Sequence, residues 1–85
     1  SITYFNGKYF VVLNGSAKIE VVEPETFKSV GTILYTQKGS PRFMVPINDT
    51  EAIVTDLQGQ LVRVNTSDYS VVAYLLRLIG ELKRL

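Results

Sequence analysis

Three carboxylates, Asp49, Glu51 and Asp56, are the only acidic side chains gathered closely enough to suggest chemistry. Such a group could hold a hard cation through oxygen ligands or divide into a general acid and a general base. The spacing also has a plainer explanation. Asp49 and Asp56 stand where turns are expected, and Asp is favoured in turns because its carboxylate bonds nearby backbone N–H groups. The chain contains no His and no Cys, so Ser-His-Asp and Cys-His nucleophile systems are unavailable. Asn14-Gly15-Ser16 and Lys38-Gly39-Ser40 are single-glycine turns, unlike the spaced glycines of a phosphate loop. No catalytic residue, cofactor site or metal site is assigned. Arg42, following Ser40-Pro41, and Asp56 are retained as possible ligand contacts. Five tyrosines could form a stacking platform, but Tyr4, Tyr9 and Tyr35 fall on strands, where packing is their ordinary role.

These residues are positioned by a repeat. Thr3–Leu34 aligns with Val45–Leu76 at an offset of 42 without a gap. Asn6 meets Asn48, Val12 meets Val54, Val22 meets Val64, Val30 meets Val72 and Leu34 meets Leu76. Val11 falls on Ile53, Asn14 on Asp56, Ile19 on Leu61, Phe27 on Tyr69 and Ile33 on Leu75. The identities are few, but apolar residues fall on apolar ones and turn residues on turn residues. A period of about 40–45 built from short strands is that of a four-stranded propeller blade.

In the first repeat, strands are expected at Ile2–Phe5, Lys8–Leu13, Lys18–Val22 and Lys28–Tyr35. Asn6-Gly7 is a two-residue hairpin signal, and Glu23-Pro24-Glu25-Thr26 places Pro at the second position of a type I turn. Gln37–Pro41 is the break between repeats. The second repeat continues with strands at Arg42–Ile47, Glu51–Thr55 and Gln60–Asn65. Beyond that, two signals conflict. By register, Ser70–Leu76 should be a fourth strand. By periodicity, Val71, Leu75, Leu78, Leu82 and Leu85 recur at steps of 4, 3, 4 and 3, the seam of an amphipathic helix. Ser67 or Asp68 could cap that helix, and Gly80 would cost it only about 1 kcal/mol. The pattern predicts a C-terminal helix over 68–85 that joins copies of the chain; the alternative is a strand to Leu75 followed by a short helix.

The stretch Tyr9–Ile33, YFVVLNGSAKIEVVEPETFKSVGTI, resembles the YVTN-type (YncE-like) β-propeller repeat. Ser40–Ala73, with its Ser40-Pro41-Arg42 entry, Asn48-Asp49-Thr50 turn and Ala52–Asp56 strand, resembles the next repeat of that family. The resemblance implies a β-propeller, whose members carry six to eight blades around a central ligand channel. This chain holds about two, and Leu75–Leu85 departs from the family pattern.

The expected fold is therefore mainly β: a single domain, 1–85, of two antiparallel blade-like meanders, 1–36 and 41–76, plus the C-terminal helix. The 46% hydrophobic content exceeds what the core of so small a domain needs, which implies an apolar surface covered by a partner. Unpaired strand edges point the same way, and a homo-oligomer is expected. Trimers or tetramers could close rings of six or eight blades, and a dimer through the helix or with swapped strands is also compatible. A net charge of +1 argues against nucleic acid as a partner, and no apolar run is long enough to span a bilayer. A start at Ser1 without a signal-peptide pattern is expected of a processed protein or an expressed fragment. The function expected is a non-catalytic interaction module, with a ligand-binding propeller assembled from several chains as the alternative.

Overall fold

The computed structural model describes residues 1–77. It contains eight strands: β1 Ile2–Phe5, β2 Lys8–Leu13, β3 Lys18–Val22, β4 Ser29–Leu34, β5 Pro41–Pro46, β6 Glu51–Asp56, β7 Gln60–Asn65 and β8 Ser70–Arg77, with a short 3-10 turn at Asn14–Ser16. They form two four-stranded antiparallel meanders, sheet one (β1-β2-β3-β4) and sheet two (β5-β6-β7-β8). Asn6 and Gly7 take positive φ values of 51° and 75°, the type I′ geometry whose twist matches the flanking strands.

The helix expected over 68–85 is corrected for its first part. Ser70–Arg77 is a strand hydrogen-bonded to β7. Val71 and Leu75 therefore lie on β8, not on a helical seam; Leu78, Leu82 and Leu85 fall outside the described residues. Val71, Val72 and Tyr74 favour a pleated surface, and β7 supplies a complete ladder partner. Tertiary pairing thus overrides the i, i+3/i+4 pattern.

The two sheets stack face against face, and the faces are not the same ones. Sheet one buries its front: Phe10 and Val12 from β2, Ile19 and Val21 from β3, Ile33 from β4. Sheet two buries its back: Met44, Ala52, Val54, Val62 and Val64. Strand registers show how the repeats correspond. Ile2 pairs with Val11, whereas Met44, 42 residues beyond Ile2, pairs with Val54, 43 beyond Val11. Val11 pairs with Glu20, and Val54 with Val62, 42 beyond Glu20. Ile19 pairs with Ile33, and counting 42 from Glu20 and Thr32 gives the pair Val62 and Tyr74. Three strands thus follow the 42-residue offset, while β6 is displaced by one residue.

The gapless alignment is corrected accordingly. The structural counterpart of Val11 is Val54, and that of Phe10 is Ile53. The cause lies in the turns on either side of β6. Asn6-Gly7 joins β1 to β2, but Asn48-Asp49-Thr50 joins β5 to β6 inside an Ile47 N–H to Glu51 O bond of 2.9 Å. Asn14–Ala17 joins β2 to β3, but only Leu57–Gly59 joins β6 to β7. One residue gained and one lost leave the period intact. Because side chains alternate at every residue, the shift exchanges the two faces of the strand.

Candidate functional site

Asp56 ends β6 and is 4% exposed. Its carboxylate accepts the Ser40 N–H at 2.9 Å and the Gln58 N–H at 2.6 Å, with Gln60 Nε2 at 3.4 Å. Gln60 in turn donates to Lys38 O at 3.2 Å and accepts from Gln37 Nε2 at 2.9 Å. This network ties the connection between the sheets to the β6–β7 turn, and the bond to Gln58 is the local Asx pattern of a turn residue. Tyr35 packs beside it; burial first, then the Asp56 charge and Tyr74, push its phenol well above the usual range. Such a tyrosine stays neutral and is no general base.

Arg42 is solvent-exposed, with its guanidinium 5.0 Å from the centre of the Phe43 ring. Its side chain bonds neither Asp56 oxygen among the described contacts. Asp49 is a loop residue whose carbonyl accepts the Asn6 side-chain amide. Glu51 turns away to the front of sheet two, where it holds Arg63 through two hydrogen bonds of 3.0 and 2.7 Å. The Arg63 guanidinium, with help from Asn48, holds the Glu51 carboxyl below the usual range. The three acidic residues thus face three different surroundings. Among the described residues no three His, Cys, Asp or Glu side chains come together as a metal site.

Most of the exposed large apolar side chains among the described residues lie on the two outer faces. The back of sheet one carries Ile2, 67% exposed, together with Tyr4, Leu34 and Phe27, the last 73% exposed. Ile2, Tyr9, Val11, Val22 and Phe27 line an apolar hollow of about 230 Å³. The front of sheet two carries Val45, Ile47 and Leu75. Scattered apolar residues on a surface are ordinary, but contiguous patches mark interaction sites.

Phe27 is held unusually. It follows the Pro24–Thr26 turn with φ of 58°, a left-handed conformation that is an outlier for a bulky side chain. Its N–H closes onto Glu23 O at 2.8 Å, and Glu23 N–H onto Lys28 O at 2.9 Å. Tyr69, its counterpart 42 residues on, has φ of 61°. The Tyr69 ring is spent inside the molecule, edge-on to Phe10 at 6.5 Å and so close over Gly31 that a β-carbon there would fall 2.6 Å from Cε2.

Compared with known proteins, the chain matches no family model and no curated protein sequence. No helix among the described residues is long and apolar enough to cross a membrane.

Proposed function

We propose that this chain is a non-catalytic interaction module of propeller-repeat type that associates with itself. The observation that carries the reading is the hollow on the back of sheet one. Its lining residues Ile2, Tyr9, Val11, Val22 and Phe27 correspond in turn to Met44, Ala52, Val54, Val64 and Tyr69. In sheet two these five belong to the packed core or pack directly against it. The same five positions are therefore covered in one repeat and uncovered in the other. Front-to-back stacking of equivalent meanders is the arrangement of neighbouring propeller blades, and the order of motifs in the chain fits the YVTN-type (YncE-like) repeat.

A ligand-binding propeller assembled from several chains is the second reading. Exposed Arg42 favours it; Asp56, whose oxygens are engaged by Ser40, Gln58 and Gln60, adds little. A hydrolase or lactonase reading would need a carboxylate metal site, and a Ca²⁺-dependent rise in Tm would favour it over the interaction module. Light scattering coupled to size exclusion tests self-association: the module predicts a mass of several chains that falls on dilution. A single-chain mass at every concentration refutes it.

A further inference from the structure

We propose that the back of sheet one docks onto the front of sheet two of a second copy of this chain, repeating the contact that joins the two sheets within one copy. The proposal rests on the self-association reading and adds to it the partner, the polarity and the seating residues.

Within the chain, Tyr69 lies over a row of three residues that pair across sheet one: Phe10, Val21 and Gly31. The counterpart row on the front of sheet two is Ile53, Arg63 and Ala73, which pair across β6, β7 and β8. Among the described residues, that row carries no Tyr69 equivalent. The residue shaped to lie over it is Phe27, which has the backbone conformation of Tyr69 and an unburied ring. Ala73 takes the place of Gly31; its methyl group holds a ring farther off than Tyr69 lies over Gly31, yet is small enough for an aromatic ring to rest against it. Arg63 takes the place of Val21, and its charge is already matched by the two bonds to Glu51. A guanidinium fixed in that way offers a flat surface on which an aromatic ring can stack.

The strain at Phe27 points in the same direction. An aromatic side chain in the left-handed region costs free energy that surrounding structure must offset. Around Tyr69 the offset is the burial of its ring against Phe10 and Gly31. Around Phe27 the described residues supply the two turn hydrogen bonds but leave the ring 73% exposed, and the front of sheet two of another copy would bury it. A contact between two different faces is head-to-tail; it closes into a ring or runs on as a filament. Two to four copies would make rings of roughly four to eight sheets, the range of closed propellers.

The chain has no cysteine, which permits a clean test. Under mild oxidation the double variant Phe27→Cys/Ala73→Cys should give a ladder of disulfide-linked dimers and higher species that reductant collapses to monomer. Either single variant should give no linked dimer. Efficient dimerisation of Phe27→Cys alone would overturn the proposal in favour of a back-to-back contact. A native mass of several chains with no ladder would overturn the docking while leaving self-association standing; a single-chain native mass would remove both. Should the double variant fail to fold, Phe27→Asp and Ala73→Asp supply the answer. Each alone should give a single-chain mass, and a 1:1 mixture should form a dimer through the one intact pair of faces. Retention of the full mass by either variant alone would overturn the docking.

Discussion

Phe27 and Tyr69 occupy one position in two copies of the same motif and meet opposite surroundings. Both follow a turn, both take a left-handed backbone, and both present an aromatic ring on the back of their sheet. Tyr69 finds the front of sheet one, while Phe27 finds solvent. The surrounding faces differ in the same sense. The back of sheet two is Met44, Ala52, Val54, Val62 and Val64, all buried. The back of sheet one places Glu20 where sheet two has Val62, and Ser29 and Thr32 both donate to the Glu20 carboxylate. The front of sheet two likewise exchanges Val21 for Arg63. Each outer face thus keeps the apolar positions of an interface and supplies its own partners for the charges it adds. A patch of that kind, apolar with a polar margin, is the composition of an interface between molecules that also exist apart. The comparison shows that one repeat can serve as core in one place and as surface in the other with few substitutions.

The sharpest way to break the comparison is to remove both aromatic rings in turn. Tyr69→Ala should cost about 3 kcal/mol of stability, since it opens a cavity against Phe10 and Gly31. Phe27→Ala should leave the stability of the single chain within about 0.5 kcal/mol. Urea unfolding at low protein concentration separates the two, and equal losses would contradict the contrast in burial. Next in size, Asp56→Ala should cost about 2 kcal/mol, because it strands the Ser40 and Gln58 N–H groups and Gln60 in a buried junction. Ca²⁺ should not change the Tm of either protein.

Smaller effects sharpen the comparison. Gly31→Ala should cost about 1–2 kcal/mol by driving a methyl group into the Tyr69 ring. Ala73→Val, at the corresponding place on the open face, should leave the stability of the single chain nearly unchanged while weakening association, read as a lower mass in solution. Phe27→Asn should stabilise the single chain by a few tenths of a kcal/mol, because Asn tolerates the left-handed region, and should weaken association. The smallest effect concerns the Glu51–Arg63 pair. The Glu51 carboxyl is held below its ordinary value near 4.5, so the folded state binds that proton less readily than the unfolded one. Its contribution is present above the unfolded value and fades as pH falls through the lower folded value. Glu51→Gln should flatten the acid limb of the stability profile in that range, lowering stability slightly at neutral pH and leaving it unchanged below the folded value.

Strand order was legible from residue types alone. Asn6-Gly7, the alternating run Lys18–Val22 and the break at Gln37–Pro41 mark seven strands close to where they form, because period-2 alternation and turn chemistry are local properties. The eighth was misread. Val71 and Leu75 satisfy a helical and a strand pattern equally, and the pairing with β7 that decides between them lies several residues away along the chain. At the candidate site, the sequence pointed to Asp56 and Arg42 as ligand contacts. It could not reveal that Ser40 and Gln58 engage the Asp56 carboxylate, because those bonds depend on how the link between the sheets folds back.

The chain's own residue pattern carried the 42-residue period, seven of the eight strands and the turns between them. Which face each residue occupies was decided by tertiary structure. The 42-residue offset places Val12 on Val54 and Phe10 on Ala52 in sequence, whereas in space Val54 answers Val11 and Ile53 answers Phe10. A residue added before β6 and another dropped after it cancel in the count and so leave no trace in the period. They do not cancel in the sheet, where one residue of register exchanges front for back. That exchange places Ala52 and Val54 in the core and turns Ile53 outward beside Arg63 and Ala73, onto the face that Phe27 of a second copy is proposed to cover.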